Sequence, residues 1–392
     1  MSGELLSSEA TRGGLPSETD VLVVGGGLAG TALAYYLAGE GVEVVLIERS
    51  ELNREASGTN AGSFHFQIAI HQLTERDAAG SHDRLLEDVR LLLEAARLWD
   101  GLEEELGGSL GLHRTGGLMV AETEDELRIL REKHVIESEA GLETQVLEGA
   151  ELRRFAPYLA RDLLGATYCP VEGYANPFAA APLYALRAVE RGAEIRTGVA
   201  VTAVESGFVV HTSAGPIRAR RVVAAAGAWT SDLAAMAGLD VPVRAVGLHV
   251  NVTEPRKKVL GPLVQHIGRR LTLKQASNGT FIIGGGWPSR PAKSPARYST
   301  MWESAAGNAA VAIRVVPGLA DVRLIRTWTG VWASTRDLQP VLGQSESVPG
   351  FHFCLAPTGF TLGPLVARML ARSLVDDAPL PHEYAPDRKG LR

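Results

Sequence analysis

Cysteine is nearly absent: Cys169 and Cys354 are the only two in 392 residues, and they lie far apart. With no CxxC pair and no Cys/His ligand spacing, neither a disulfide framework nor a zinc or iron–sulfur site is indicated. Basic blocks are missing too. The 39 Lys and Arg stand against 45 Asp and Glu for a net charge of -6, so nucleic acid is not an expected partner. Internal repeats and low-complexity tracts are lacking. The opening residues carry Glu4 and Glu9 and have no positive segment followed by a continuous apolar one, so no secretory signal is expected. Residues 1–18 read as a flexible tail, and the scarcity of cysteine fits a reducing cytoplasm.

What is present is an ordinary globular composition, 45% hydrophobic and 21% charged, in a chain long enough for two domains. Val21 to Gly39 holds no charged residue, a length that suits a membrane span. The glycines at 25, 26, 27 and 30 instead point to a buried strand, a turn and a helix. Val21–Val24 suits a central parallel strand. Gly25, Gly27 and Gly30 then fill the GxGxxG pattern of a dinucleotide-binding turn. The helix from Ala29 to Ala38 offers its N-terminal amides to a pyrophosphate. Val42–Ile47 is the second strand, and Glu48 ends it where a ribose-hydroxyl ligand belongs.

A second fingerprint is not found. Ile283 to Ser289 carries three glycines, but Pro288 and Ser289 spoil the pattern and no strand ending in an acid follows. A nicotinamide-binding second Rossmann domain is therefore disfavoured. Elsewhere, helical spacing runs from Asp83 to Leu106, and Thr123 with Glu126 forms a capping box for a helix to Ser138. Asn176–Pro177 is expected to start a third helix, to Arg191. Strands are expected at Ala193–Arg196, Val199–Val204, Phe208–Thr212 and Arg221–Ala225. Others are expected at Leu248–Val252, Leu271–Lys274 and Phe281–Ile283.

The segment Ala56-Ser57-Gly58-Thr59-Asn60-Ala61-Gly62-Ser63-Phe64-His65 resembles the ASGxNAG loop of the D-amino-acid oxidase superfamily, which includes glycine oxidase and sarcosine oxidase. It is most similar to the branch of opine oxidase, hydrogen cyanide synthase and hydroxyproline dehydrogenase flavin subunits. Val222 to Trp229 resembles the family's AxGxW turn. Trp328 to Gly343 is similar to its WxG…TPDxxPxxG segment, and Gly359 to Pro364 to its GVTLAP turn into the last helix. The resemblance implies an α/β fold, a Rossmann-type FAD-binding domain with a second α+β substrate domain on a mixed or antiparallel sheet. It also implies a discontinuous FAD domain (19–80, 150–240 and 335–392) and a substrate domain (81–149 and 241–334).

By that resemblance FAD is held by Gly25, Gly27, Leu28, Ala29, Gly30, Glu48, Arg49, Ser57, Asn60, Ala61 and Gly62. Val201, Ala226, Gly227 and Trp229 complete the set with Gly359, Phe360, Thr361 and Leu362. Gly330 falls where a relative tethers FAD through cysteine, so the flavin is expected to be non-covalent. Trp332 takes the place of the usual carboxylate-binding arginine, and Pro357 that of a histidine. Trp332 is then pocket wall or core, with the wall facing a bulky or secondary amine. Arg269, Arg270 and Lys274 are candidates for a displaced carboxylate clamp. His65 and His71 lie nearest the flavin loop, and His65 is the candidate for touching flavin or substrate. The implied reaction is oxidation of the C–N bond of an amine, amino acid or imino acid by hydride transfer to flavin N5. Alternatives are a flavin subunit feeding an iron–sulfur partner, a homo-oligomer in place of that partner, and a non-catalytic FAD-binding protein.

Overall fold

The computed structural model describes residues 14–69, 82–291 and 298–391. His71 and most of the 1–18 tail lie outside them. Two eight-stranded sheets organise the chain. The first runs in the order Val341–Gln344, Phe351–Leu355, Gly215–Ala224, Glu18–Val24, Val44–Glu48 and Glu194–Thr197. Four of these five pairings are parallel, and Val341–Gln344 with Phe351–Leu355 is antiparallel. The hairpin of Val201–Val204 and Val209–Thr212 extends from Gly215–Ala224. Val21, Val23, Val44 and Leu46 face one core, and Leu22, Val45 and Ile47 the other. Burial on both faces explains why these strands read as unbroken apolar runs rather than as alternating ones. The helices Leu28–Gly39, Ala180–Glu190 and Gly359–Asp376 pack together over the first of these cores.

The second sheet is mixed. Its order is Leu324–Ser334, Arg244–Pro255, Thr280–Gly284, Thr272–Gln275, Leu263–His266, Gly117–Ala121, Gly165–Cys169 and Gln145–Glu148. Leu263–His266 and Gly117–Ala121 are parallel, and the other pairs antiparallel. Leu324–Ser334 pairs with Arg244–Pro255 from Ser334↔Arg244 to Leu324↔Thr253. At one end of this ribbon Val331 and Ala333 sink into the core of the first sheet. The ribbon therefore ties the two sheets together.

Several boundaries differ from the sequence reading. Glu18 already pairs with Arg218, so the strand begins inside the expected tail. The third helix starts at Ala180, not Asn176. Asn176 closes a turn instead, its Oδ1 accepting from Phe178 N at 3.0 Å. Gly165–Cys169, drawn from the stretch 150–240, is a strand of the second sheet. The Thr123–Glu126 capping box is present, and its helix spans Glu124–Glu139. Among the described residues no helix is long and apolar enough to cross a membrane.

Candidate active site

Three loops leave the carboxyl ends of adjacent parallel strands, where open α/β sheets place their ligands. The first follows Val24. Gly25 has φ +122°, and its N–H donates to Ile47 O at 2.9 Å. A Cβ there would strike the Ala225 carbonyl, so the turn demands glycine. Gly27 precedes the helix Leu28–Gly39, which opens through Leu28, Ala29 and Gly30 with no side-chain cap and no acid in its first turn. Ser57 Oγ accepts from Leu28 N at 2.9 Å. Such an opening presents backbone donors and the positive end of the helix dipole to an anion.

The second loop follows Glu48, whose carboxylate is fixed from two sides. Its Oε2 accepts from Gly26 N at 2.8 Å, and its Oε1 from Ser50 N at 2.9 Å. Val199 N donates to Glu48 O at 2.9 Å, which brings the segment leading to Val201 beside it. The Arg49 guanidinium lies 3.8 Å over the Trp229 ring and 3.7 Å from Glu55. Asn60 braces the loop: Nδ2 donates to Ser57 O at 2.7 Å, and Oδ1 accepts from Gly62 N at 2.6 Å. Ala61 lies between those anchors. The third loop, after Ala224, carries Ala226 and Gly227 into a short turn of 3₁₀ helix, Gly227–Trp229.

A second uncapped helix opening belongs to Gly359–Asp376, again with no acid in its first turn. Phe360 stacks on Phe64 with centroids 5.4 Å apart, Trp99 Nε1 donates to Thr361 O at 2.9 Å, and Leu362 N bonds Thr358 O. Trp332 is half-buried, and its Nε1 donates to Pro357 O at 2.7 Å. The indole donor is thus engaged in bracing the loop before that helix. Trp328 Nε1 donates to Thr59 O at 2.8 Å, and a Cβ on Gly330 would lie 2.5 Å from Thr59 Oγ1. A side chain at that position would press on the Thr59 hydroxyl, which would have to shift.

Lys274 and His65 come together beside this loop; Arg269 does not join them. Arg269 is exposed and paired with Glu122 Oε2 at 2.7 and 2.9 Å, and Arg270 is exposed near Gly286 O. Lys274 is 2% exposed. Burial pushes its amine down to about 7. His65 is pushed down to about 4 by burial and by the Lys274 charge, and its Nδ1 is buried without a partner. Both side chains are therefore neutral at mildly alkaline pH.

Sequence reasoning missed Tyr174, whose ring lies 4.6 Å from Lys274 Nζ. It also missed a buried cluster behind Phe66–Ile68. Glu172 Oε1 accepts from Phe66 N at 2.8 Å and from Gln67 N at 3.1 Å, and Glu137 Oε1 accepts from Ile68 N at 2.8 Å. Lys133 Nζ binds Glu137, Gln67 Oε1 and Thr167 Oγ1. A Lys–Glu pair four residues apart on a helix reads as a solvated face, so nothing in the spacing marked Lys133 and Glu137 as buried.

The glycine turn, the fixed acid and the two helix openings on one sheet edge define a dinucleotide-binding oxidoreductase fold. Residues 20–373 match the DAO family of FAD dependent oxidoreductases, and the chain belongs to that family. It is 29% identical over 379 residues to an opine oxidase subunit of Rhizobium meliloti, covering 92% of this chain and 95% of the relative. It is 28% identical to hydrogen cyanide synthase subunit HcnC of Pseudomonas aeruginosa, covering 94% of each. Among solved structures it is similar to L-proline dehydrogenase from P. horikoshii, with TM-score 0.84, 25% identity, and coverage of 95% and 98%.

Proposed function

We propose that this chain uses FAD to oxidise the C–N bond of an amine, amino acid or imino acid. The observation that carries the reading is the pair of helix openings at Gly27–Leu28 and Thr358–Gly359, neither with an N-cap side-chain bond or an acid in its first turn, on the same sheet edge as the fixed carboxylate of Glu48. The names of the relatives, an opine oxidase subunit and an L-proline dehydrogenase, supply the substrate class. When bound, FAD supplies the hydride acceptor. In this reading Gly25, Gly27, Leu28, Ala29 and Gly30 hold the pyrophosphate, with Ser57, Asn60, Ala61 and Gly62 closing over it and the ribityl chain. Glu48 accepts from the ribose hydroxyls, while Arg49, Trp229 and the Val201 backbone border the adenosine. Ala226 and Gly227 line the turn beside the flavin. The helix opening at Gly359, Phe360, Thr361 and Leu362 faces the pyrimidine end and favours negative charge there.

The test is anaerobic bleaching of the flavin by a panel of D-, L- and N-alkyl amino acids, imino acids and opines. Bleaching by some of these is expected, and no bleaching by any of them sinks the reading. Acid treatment of the same preparation is expected to release free FAD, because Gly330 stands where a relative's tethering cysteine would and neither Cys169 nor Cys354 lies in an attachment motif; flavin that stays with the precipitated chain counts against this. The relatives named as subunits favour a second arrangement, in which this chain is one subunit of a complex and passes its electrons to a partner protein. In that arrangement substrate bleaches the flavin, yet turnover needs an added acceptor.

Glu48→Ala is expected to weaken FAD binding by about 1 to 3 kcal/mol through lost hydrogen bonds to a charged acceptor. Its effect belongs to the flavin dissociation constant rather than to the melting of the cofactor-free chain. An unchanged dissociation constant rules out the ribose role.

A further inference from the structure

The chain buries two lysines in contrasting ways. Lys133 is fully buried and surrounded by partners, with Glu137, Gln67 and Thr167 all on its Nζ. Lys274, on the strand Thr272–Gln275, is 2% exposed, and among the described residues its Nζ makes no hydrogen bond or ion pair. An ammonium carries three donors and no acceptor, and burying one without a counter-charge is costly. Lys133 is thus fully satisfied, whereas the Nζ of Lys274 has the Tyr174 ring face beside it and no acceptor among the described residues.

The position of Lys274 says which ligand. A Cβ built on Gly62 would lie 3.2 Å from its Nζ, and the Tyr174 ring is 4.6 Å away. Gly62 ends the loop assigned above to the ribityl chain, so the amine sits where that chain leads on toward the flavin ring. The titratable groups facing it are His65, from the segment after Gly62, and Tyr174, from the strand Gly173–Tyr174. The strands on either side, Leu263–His266 and Thr280–Gly284, set no carboxylate against it. With His65 neutral, nothing in this corner competes for an anion.

We propose that Lys274 Nζ seats the carboxylate of an amino- or imino-acid substrate and gains a proton as that carboxylate docks. The inference rests on the reading of amino- or imino-acid oxidation given above. A free amine becomes a stronger base when a carboxylate stands against it. With a zwitterionic substrate the proton can leave the substrate ammonium: an N–H bond breaks on the substrate nitrogen and one forms on Nζ. The substrate is left with a free lone pair, which loss of hydride from carbon requires, and the new ammonium pairs with the substrate carboxylate. Binding and deprotonation of the substrate thus become one event.

The experiment titrates holoenzyme with cyclopentanecarboxylate, an acid without nitrogen, in a calorimeter. Two buffers of different ionisation enthalpy at each of two pH values give the protons taken up per acid bound. Uptake is expected to be close to one proton at pH 8 and about a tenth of that at pH 6, where the amine is already charged. Cyclopentylmethanol is expected to cause no uptake. Lys274→Met is expected to weaken acid binding by about ten-fold or more and to abolish uptake. Lys274→Arg is expected to keep binding without uptake, since arginine stays charged. No binding of the acid, equal uptake at both pH values, or full affinity in Lys274→Met would overturn the proposal. The wild-type pH pair needs no variant to fold. Because the probe has no C–N bond, uptake without bleaching by any amine overturns the oxidation reading alone. Bleaching without uptake overturns the role of Lys274 alone.

Discussion

Gly25→Ala is expected to yield a purified chain with little or no FAD. The backbone at Gly25 has φ +122°, a conformation that costs an L-residue about 1 to 3 kcal/mol. A clash adds to that cost, because the new methyl would strike the Ala225 carbonyl. Relief requires moving either the turn after Val24 or the one after Ala224, and both border the same cofactor. The loss of affinity should therefore exceed about 100-fold, near 3 kcal/mol. The measurement is the ratio of flavin to protein absorbance after gel filtration, with a thermal melt of the cofactor-free chain alongside. Gly41→Ala is the control. Gly41 also has positive φ, +75°, but its Cβ would meet nothing within 4 Å, so its variant should melt slightly earlier and keep its flavin. Full flavin content in Gly25→Ala would mean that this turn does not shape the cofactor site.

The second large effect is expected from Lys133→Met. Lys133, Glu137 and Glu172 are all 0% exposed. Removing the one cation leaves two carboxylates in the interior, and breaking a buried pair in this way costs about 3 to 5 kcal/mol. The pH dependence has a definite sign. Burial already raises the carboxyl pKa of both Glu137 and Glu172 above the usual range. Between the unfolded and folded values the native state binds more protons than the unfolded one, so stability falls as pH rises through that window. Loss of Lys133 raises both groups further, and the variant's deficit should be larger at pH 8 than at pH 5. Urea unfolding at both pH values measures it. Lys133→Met combined with Glu137→Leu should recover much of the loss. A deficit under about 1 kcal/mol, or one that shrinks with rising pH, would show that the cluster is not a charged network. Because this cluster holds the amides of Phe66, Gln67 and Ile68, it also sets where His65 stands.

How much of this was readable in the sequence depended on how local each cause is. The strand, glycine turn, helix, strand and acid through Glu48 are set by neighbours a few residues apart, and their spacing carries the geometry. The Thr123–Glu126 box is local in the same sense. Asn176–Pro177 read as a helix start because the pair caps helices well, yet its side chain serves a turn that ends just before Ala180. Arg269, Arg270 and Lys274 were indistinguishable as charges on one stretch of chain. What separates them is remote: Glu122 lies 147 residues from Arg269 in sequence and holds it at the surface, while Gly62 and Tyr174 enclose Lys274. Trp332 could be named as a departure from the family pattern, but its bond to Pro357, the second departure, needed the fold.

The first sheet is assembled from three separate stretches of chain, and this sets a schedule for synthesis. Glu18–Val24 leaves the ribosome early, with its parallel neighbour Val44–Glu48 close behind. Its other neighbour, Gly215–Ala224, follows only after many intervening residues, and Phe351–Leu355 and the helix Gly359–Asp376 last of all. Non-local pairings of this kind form slowly, and they leave apolar edges open in the meantime. One helix opening of the cofactor groove is made well before the other, with most of both sheets synthesised between them. FAD can therefore be gripped from both sides only after Gly359–Asp376 has emerged, which makes the cofactor a late fastener of the fold rather than a nucleus for it.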